Sequence, residues 1–485
     1  MKTVSKHVFT IVRRALGYGF VATFASFVAL AIYVLNDRAE LSIWHEVDLD
    51  EEFTSRSKVE NFDGYLELEE RLFTQLRTEV YEKTPAGDDK TYDRFREGSA
   101  MDPESWETNW NRTFELVQDE AKAGVLLLHG MSDSPYSLRH LGETFHEKGA
   151  HVIGLRIPGH GTAPSGLVEV TWKDMVAAVE LAAKHLKEQV GEKPIYIVGY
   201  SNGGALALMY SIESLDDSNL PVPGGLILLS PEIAVSKAAA LAVWQARLGH
   251  WFGLEKLAWN SISVEYDPFK YNSFAVNAGD QAHRITSQID KKLGKLFESG
   301  GMEKFPRVLA FQSAVDATVS APALVSRLFD RLPNNGSELV LFDINRVQEV
   351  EQLLKNDPAE YFGELLRDSS RDFNLSVLVN QFDGESPNLE VVVKRRESGS
   401  STVSQTDTKM RWPKGIFSLS HVALPFPEDD PLYGSGNDGE TATLGNLSLR
   451  GERGTLLLGS GEMLRQKWNP FYSYIEKLSI DFVSF

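Results

Sequence analysis

The chain has 485 residues, enough for two or three domains or for one large domain with insertions, and its 42 % hydrophobic and 24 % charged residues are those of a globular protein with a real core. Its 49 basic against 68 acidic residues leave a net charge of −19 with no basic stripe, which argues against nucleic-acid binding. There is no cysteine, so thiol catalysis, thiolate-bound zinc and disulfides are excluded.

The first predicted element is a membrane anchor. Residues 1–14 carry Lys2, Lys6, Arg13 and Arg14 without an acid, and residues 15–35 hold 21 positions without a charge. As a helix that stretch is about 32 Å long, enough to cross a bilayer core. From Asp37 to Glu60 there are eight acids and three bases. The positive-inside rule then places the N-terminus in the cytoplasm and the rest on the other side, periplasmic in a bacterium. The rival reading is a cleaved signal peptide, which would make the protein secreted. Ala29-Leu30-Ala31 resembles a cleavage site, but Ile32 to Leu35 continue the apolar run past it.

Residues 36–108 form an acidic, polar extension. Within it Tyr65, Leu66, Leu68, Leu72 and Leu76 recur near one helical face, as in a segment lying against a larger domain.

From residue 109 to 485 the rhythm changes. Short apolar runs at 125–130, 151–157, 194–200, 225–230, 307–313 and 338–344 alternate with helix-length amphipathic segments. In one of these, Thr171 and Asp174 suggest a capping box ahead of Met175, Val179, Ala182 and Leu186 on one side. The pattern predicts an α/β domain with a mostly parallel, doubly wound sheet covered on both faces. Two connections are too long for simple crossovers. Residues 231–303 are expected to form a helical lid, and 345–412 a second insertion containing a charged helix and an antiparallel pair of strands.

The strongest chemical signal is Gly199-Tyr200-Ser201-Asn202-Gly203, between a strand-like run and a helix-like one. A strand turning sharply into a helix needs glycines around the serine, because the backbones approach too closely for Cβ atoms. The turn lifts the Ser201 hydroxyl clear of the sheet and aims the first amides of the helix at whatever it attacks. A tetrahedral intermediate needs two donors for its oxyanion. The amide of Asn202 is one candidate, and the amide of Met131, after the strand and His129-Gly130, is the other. His129 and His160 are read as shaping their loops by hydrogen bonds.

The segments "LLLHGMSDSPYSLRHL", "LRIPGHGTAPSG", "IVGYSNGG" and "LLLSPEI" occur in this order. Over about residues 124–324 they resemble the α/β-hydrolase superfamily, and within it the monoacylglycerol lipase, lysophospholipase and carboxylesterase branch with its serine aminopeptidase-like members. The resemblance implies a Ser–His–Asp triad, a backbone oxyanion hole and a lid, with no metal and no organic cofactor.

In that fold the triad runs in the order serine, acid, histidine. Asp316, three residues after the run ending at Ser313, matches the position of the acid, with Asp343 as a reserve. Of the eleven histidines only His421 follows Asp316, so the base is His421 or there is no triad. The departure from the family pattern is the gap of 105 positions between the two, which the 345–412 insertion must bridge by leaving the sheet and returning over Ser201.

The sequence therefore predicts a membrane-anchored serine hydrolase that cleaves carboxylic esters, lipid or lysolipid esters among them, through an acyl-enzyme. Its partners would be the ester substrate and the membrane. The alternatives are a peptidase or amidase, in which Glu255 or Glu265 would grip a substrate amine, and a catalytically silent scaffold that binds a partner.

Overall fold

The computed structural model describes residues 38–234, 255–348, 356–436 and 464–483, with isolated positions at 17–19, 23, 26, 353–354, 443–445 and 461. The 15–35 stretch expected to cross a membrane lies almost wholly outside these. Among the described residues no helix is long and apolar enough to do so.

The six apolar runs become strands β2 (Ala123–Leu128), β3 (Ala150–Leu155), β4 (Ile195–Tyr200), β5 (Gly225–Leu229), β8 (Arg307–Ser313) and β9 (Glu338–Phe342), and a short strand that the runs do not include, β1 (Phe114–Leu116), precedes them. Three more, β10 (Asn374–Asp383), β11 (Ser386–Arg396) and β12 (Val403–Arg411), complete a ten-stranded sheet in the order β1-β3-β2-β4-β5-β8-β9-β10-β11-β12. Neighbours from β3 through β10 are parallel, and β1, β11 and β12 add antiparallel strands at the two edges. A separate ribbon pairs β6 (Trp259–Ser261) with β7 (Phe274–Ala275).

Alternation along the strands divides the apolar side chains between two cores. Leu126, Leu128, Ile153, Leu155 and Ile197 face one, and Val125, Leu127, Val152 and Val198 face the other. Because both faces are covered, every residue of β2, β3 and β4 is buried, which is why these strands read as continuous apolar runs. The helices are α1 (Phe62–Glu79), α2 (Arg139–Glu147), α3 (Trp172–Val190), α4 (Asn202–Asp216), α5 (Val276–Glu298), α6 (Ala321–Arg327), α7 (Pro358–Arg367) and α8 (Tyr472–Val483). The first core takes Val179 of α3, Leu206 of α4 and Ile285 of α5, and the second takes Leu141 of α2 and Ile475 of α8. The capping box at α3 is formed: the Thr171 hydroxyl accepts from the Asp174 amide while the Asp174 carboxylate accepts from the Thr171 amide.

Two expectations about the connections change. The 231–303 segment does not act as one lid. Residues 235–254 lie outside the described residues, but α5 buries Ala278, Ile285, Ile289 and Leu293 in the first core beside α3 and α4. It is the crossover helix between the parallel strands β5 and β8, and its amphipathic pattern suits that role as well as it suits a lid. The 345–412 insertion does not leave the sheet. Helix α7 carries the chain over, β10 adds parallel to β9 with Asn374 opposite Glu338, and β11 and β12 turn back antiparallel.

The 36–108 extension is tied into the domain by charge as well as by α1. The fully buried Arg156, just past β3, pairs through its two Nη atoms with Glu52 at 2.9–3.0 Å and through Nε with Glu69 of α1 at 3.0 Å. The Tyr65 hydroxyl donates to the Arg156 carbonyl oxygen at 2.6 Å.

Candidate active site

Between β4 and α4 the chain makes the expected sharp turn. Ser201 has φ 52° and ψ −115°, a conformation that costs a non-glycine residue free energy and persists only when its surroundings enforce it. The glycines explain how the turn closes. A Cβ at Gly203 would lie 1.9 Å from the Leu128 carbonyl oxygen, and one at Gly199 would lie 2.5 Å from that of Gly203. No side chain fits at either position. Asn202 begins α4, so its amide is among those that a helix leaves without an internal partner. Among the described residues neither the Asn202 amide nor the Met131 amide donates a hydrogen bond. Both remain available to an acceptor in the site.

Ser201, His421 and Asp316 meet. His421 Nε2 is 3.0 Å from Ser201 Oγ, and His421 Nδ1 is 2.9 Å from Asp316 Oδ2. With the carboxylate accepting at Nδ1–H, Nε2 is the nitrogen free to receive the serine proton. The return of the chain from β12 is pinned at several points. The Ser313 hydroxyl donates to the Leu419 carbonyl oxygen at 2.7 Å, and Asn345 donates through its amide to Phe417 and through Nδ2 to Ile416. The ends of β8 and β9 thereby carry the loop that brings His421 over the sheet.

Asp316 also accepts from Gln312 Nε2 at 3.0 Å and from the amides of Thr318 and Val319 at 2.7 and 3.0 Å. Burial pushes its carboxyl up, but the His421 hydrogen bond and charge and these amides outweigh burial and hold it below its ordinary 3.8. A carboxyl depressed in this way contributes stability that is present above its ordinary pKa and lost as pH falls through the lower folded value. Asp316→Asn is therefore expected to lower Tm at pH 7, with the gap to wild type closing as pH drops below about 4. Thermal melting at a series of pH values measures it; a gap that stays constant down to pH 3 contradicts the linkage.

The other candidates have structural partners. His129 Nε2 accepts the Ile157 amide at 3.0 Å, so its Nδ1 carries the proton and donates to the Gly130 carbonyl oxygen at 2.9 Å. Burial and the neighbouring His160 hold its pKa far below that of an ordinary histidine. His160 bonds to the Pro158 carbonyl oxygen, and burial pushes it down to about 4. Asp343, the reserve acid, is taken by Arg346, which grips both its oxygens at 3.0–3.1 Å. Glu265 is also spent internally, accepting the amides of Asn272 and Ser273 at 2.9 and 2.8 Å, and Glu255 is exposed.

The site opens into a cavity of about 460 Å³, a size suited to a small-molecule ligand, whose lining includes Met131, Glu232, Lys270 and Arg465 beside Ser201 and His421. Gln312 and Glu232 are not among the residues that the sequence motifs single out. Gln312 had a signal, as a polar residue inside the buried run of β8; Glu232, two residues past Ser230 at the end of β5, had only its position.

A hydrogen-bonded serine, histidine and carboxylate at the C-terminal ends of parallel strands define the class of an α/β-hydrolase. Residues 119–343 match the model of the family described as serine aminopeptidase, S33. Over 116 residues the chain is 37 % identical to the thermostable monoacylglycerol lipase of Bacillus sp. (strain H-257), a match covering 24 % of this chain and 45 % of that one. Over 129 residues it is 28 % identical to "Phospholipase YtpA" of Bacillus subtilis (strain 168), covering 26 % and 48 %. The chain thus spans about half the length, or less, of the curated relatives it matches. Among solved structures, a soluble variant of monoglyceride lipase from Saccharomyces cerevisiae in complex with a substrate analogue is 15 % identical, with 47 % of this chain and 80 % of that chain covered and a TM-score of 0.36. The family match over residues 119–343 and the likeness to the Bacillus lipase support a place in the α/β-hydrolase superfamily, close to the branch of monoacylglycerol lipases and carboxylesterases.

Proposed function

We propose that the protein is a serine hydrolase that cleaves carboxylic esters, lipid or lysolipid esters among them, while anchored to a membrane by residues 15–35. The observation that carries this reading is the unbroken hydrogen-bonded series from Ser201 through His421 to Asp316. In the proposed reaction Ser201 Oγ attacks the acyl carbon as His421 Nε2 takes its proton. Asp316 holds the imidazole at Nδ1 and stabilises its charged form. The amides of Met131 and Asn202 receive the developing oxyanion. The tetrahedral intermediate collapses with loss of the alcohol, which takes its proton from His421. Water, deprotonated by the same imidazole, then releases the acid from the acyl-enzyme and regenerates Ser201. An anchor preceded by Lys2, Lys6, Arg13 and Arg14 would hold this site close to amphiphilic substrates.

A fluorophosphonate probe tests both parts. Wild type is expected to be labelled stoichiometrically at Ser201, in the membrane fraction, and Ser201→Ala to be unlabelled. Removal of residues 1–37 should move the labelled band to the soluble fraction. A folded wild type that resists the probe refutes the enzymatic reading, and a label that is soluble in the full chain refutes the anchor.

A further inference from the structure

Past β5 the chain bends abruptly. Ser230 has φ 40°, its amide donates to the Phe311 carbonyl oxygen at 2.8 Å, and the Pro231 ring packs where Gly204 leaves no room for a Cβ. The amide of the next residue, Glu232, donates to the Ser201 carbonyl oxygen at 2.9 Å. Glu232 is thereby tied to the backbone of the serine, and its side chain lines the same cavity as Ser201 Oγ and His421. Its Oε2 is cut off from solvent and has no hydrogen-bond partner among the described residues. A buried acceptor without a donor is a costly arrangement, and none of the steps from Ser201 attack to acyl-enzyme hydrolysis uses this one. An apolar residue of similar size would fill the space without that cost. An acceptor kept unpaired beside a nucleophile is suited to a donor that arrives with the substrate.

We propose that Glu232 is a specificity-determining residue whose carboxyl takes a hydrogen bond from a hydroxyl group of the substrate, so that hydroxylated esters are preferred to their plain analogues. The proposal rests on the hydrolase reading and extends it to a substrate class. Two observations select a hydroxyl over an ammonium group. Burial pushes the Glu232 carboxyl up to about 7, so near neutral pH much of it is uncharged, and a hydroxyl can pair with either form by giving or taking the proton. Lys270 lines the same cavity and forms no ion pair among the described residues, which adds positive charge where a second cation would have to enter.

The test compares kcat/KM for matched esters in the full-length wild type, Glu232→Leu and Glu232→Gln. One pair is glyceryl monobutyrate and propyl butyrate; the other is the p-nitrophenyl esters of 3-hydroxybutyrate and butyrate. They place the hydroxyl on the leaving alcohol and on the acyl chain respectively. Wild type should favour the hydroxylated member of at least one pair by roughly ten- to a hundredfold. Glu232→Leu should erase that ratio, and Glu232→Gln, which keeps an acceptor oxygen, should restore a good part of it. Equal losses on both members of a pair, or no preference in wild type, overturn the proposal and leave Glu232 a structural role. A preference for the p-nitrophenyl ester of 3-aminobutyrate that vanishes in Glu232→Leu overturns the hydroxyl and assigns an amine. Fluorophosphonate labelling run alongside separates the two levels: labelled enzyme without a hydroxyl preference refutes this inference alone, and unlabelled wild type refutes the hydrolase reading with it.

Discussion

His421→Ala is expected to lower kcat for ester hydrolysis by roughly 10⁴–10⁶-fold while the protein stays folded. The imidazole is the only group within hydrogen-bond reach of Ser201 Oγ among the described residues, and without it the hydroxyl must attack as a neutral alcohol. Neither of the two described histidines on the neighbouring loops can substitute. His129 and His160 are buried, fixed by backbone partners and held well below an ordinary histidine pKa. Loss of the side chain should leave the loop in place, because its anchors lie elsewhere. The Ser420 hydroxyl donates to the Gln466 carbonyl oxygen, and Ser313 and Asn345 hold residues 416–419. Thermal melting within a few degrees of wild type, together with lost turnover, is the expected pair of results. Retained turnover would place the base elsewhere and dissolve the proposed triad.

The local chemistry of this site was legible in the sequence because it is written in short-range constraints. The glycine at 199 is demanded by contacts within the strand–turn–helix unit and the one at 203 by the end of the adjacent strand β2, and both belong to a pattern five residues long from which the elbow can be read. His421 was reached by elimination, through the order of residues in the fold and a count of histidines after Asp316. How the chain delivers it was not legible. The pairing of β10 with β9 is a choice between distant segments, and the apolar run of β10 is equally compatible with a sheet extension or a detached hairpin. The same ambiguity hid the role of α5, since one amphipathic stripe serves a lid or a sheet face. Glu232 was invisible for a further reason. An unpaired buried carboxyl is defined by what fails to surround it, and sequence records no such absence.

The second large effect is expected at Arg156. Arg156→Ala should cost about 3–5 kcal/mol, which for a folded unit of this size corresponds to a fall in Tm of roughly 3–5 °C. The loss arises less from the pair itself than from Glu52 and Glu69, two carboxylates left in a largely dry site without their cation. Replacing all three residues together with apolar ones of similar volume should therefore recover much of what the single change loses. If residues 36–108 merely lay against the hydrolase domain, neither change would move its melting, and an unchanged Tm would establish that. The structure connects this cluster to the chemistry as well. Arg156 Nη1 donates to the His160 carbonyl oxygen, Glu52 accepts from the Gly159 amide, and the next residue after Arg156, Ile157, donates its amide to His129 Nε2. His129 in turn bonds to Gly130, whose neighbour Met131 supplies one of the two proposed oxyanion donors. Loosening Arg156 should thus lower kcat by more than KM changes, at temperatures well below the new melting transition. Equal kcat in the folded variant would separate the extension's stabilising role from the positioning of Met131.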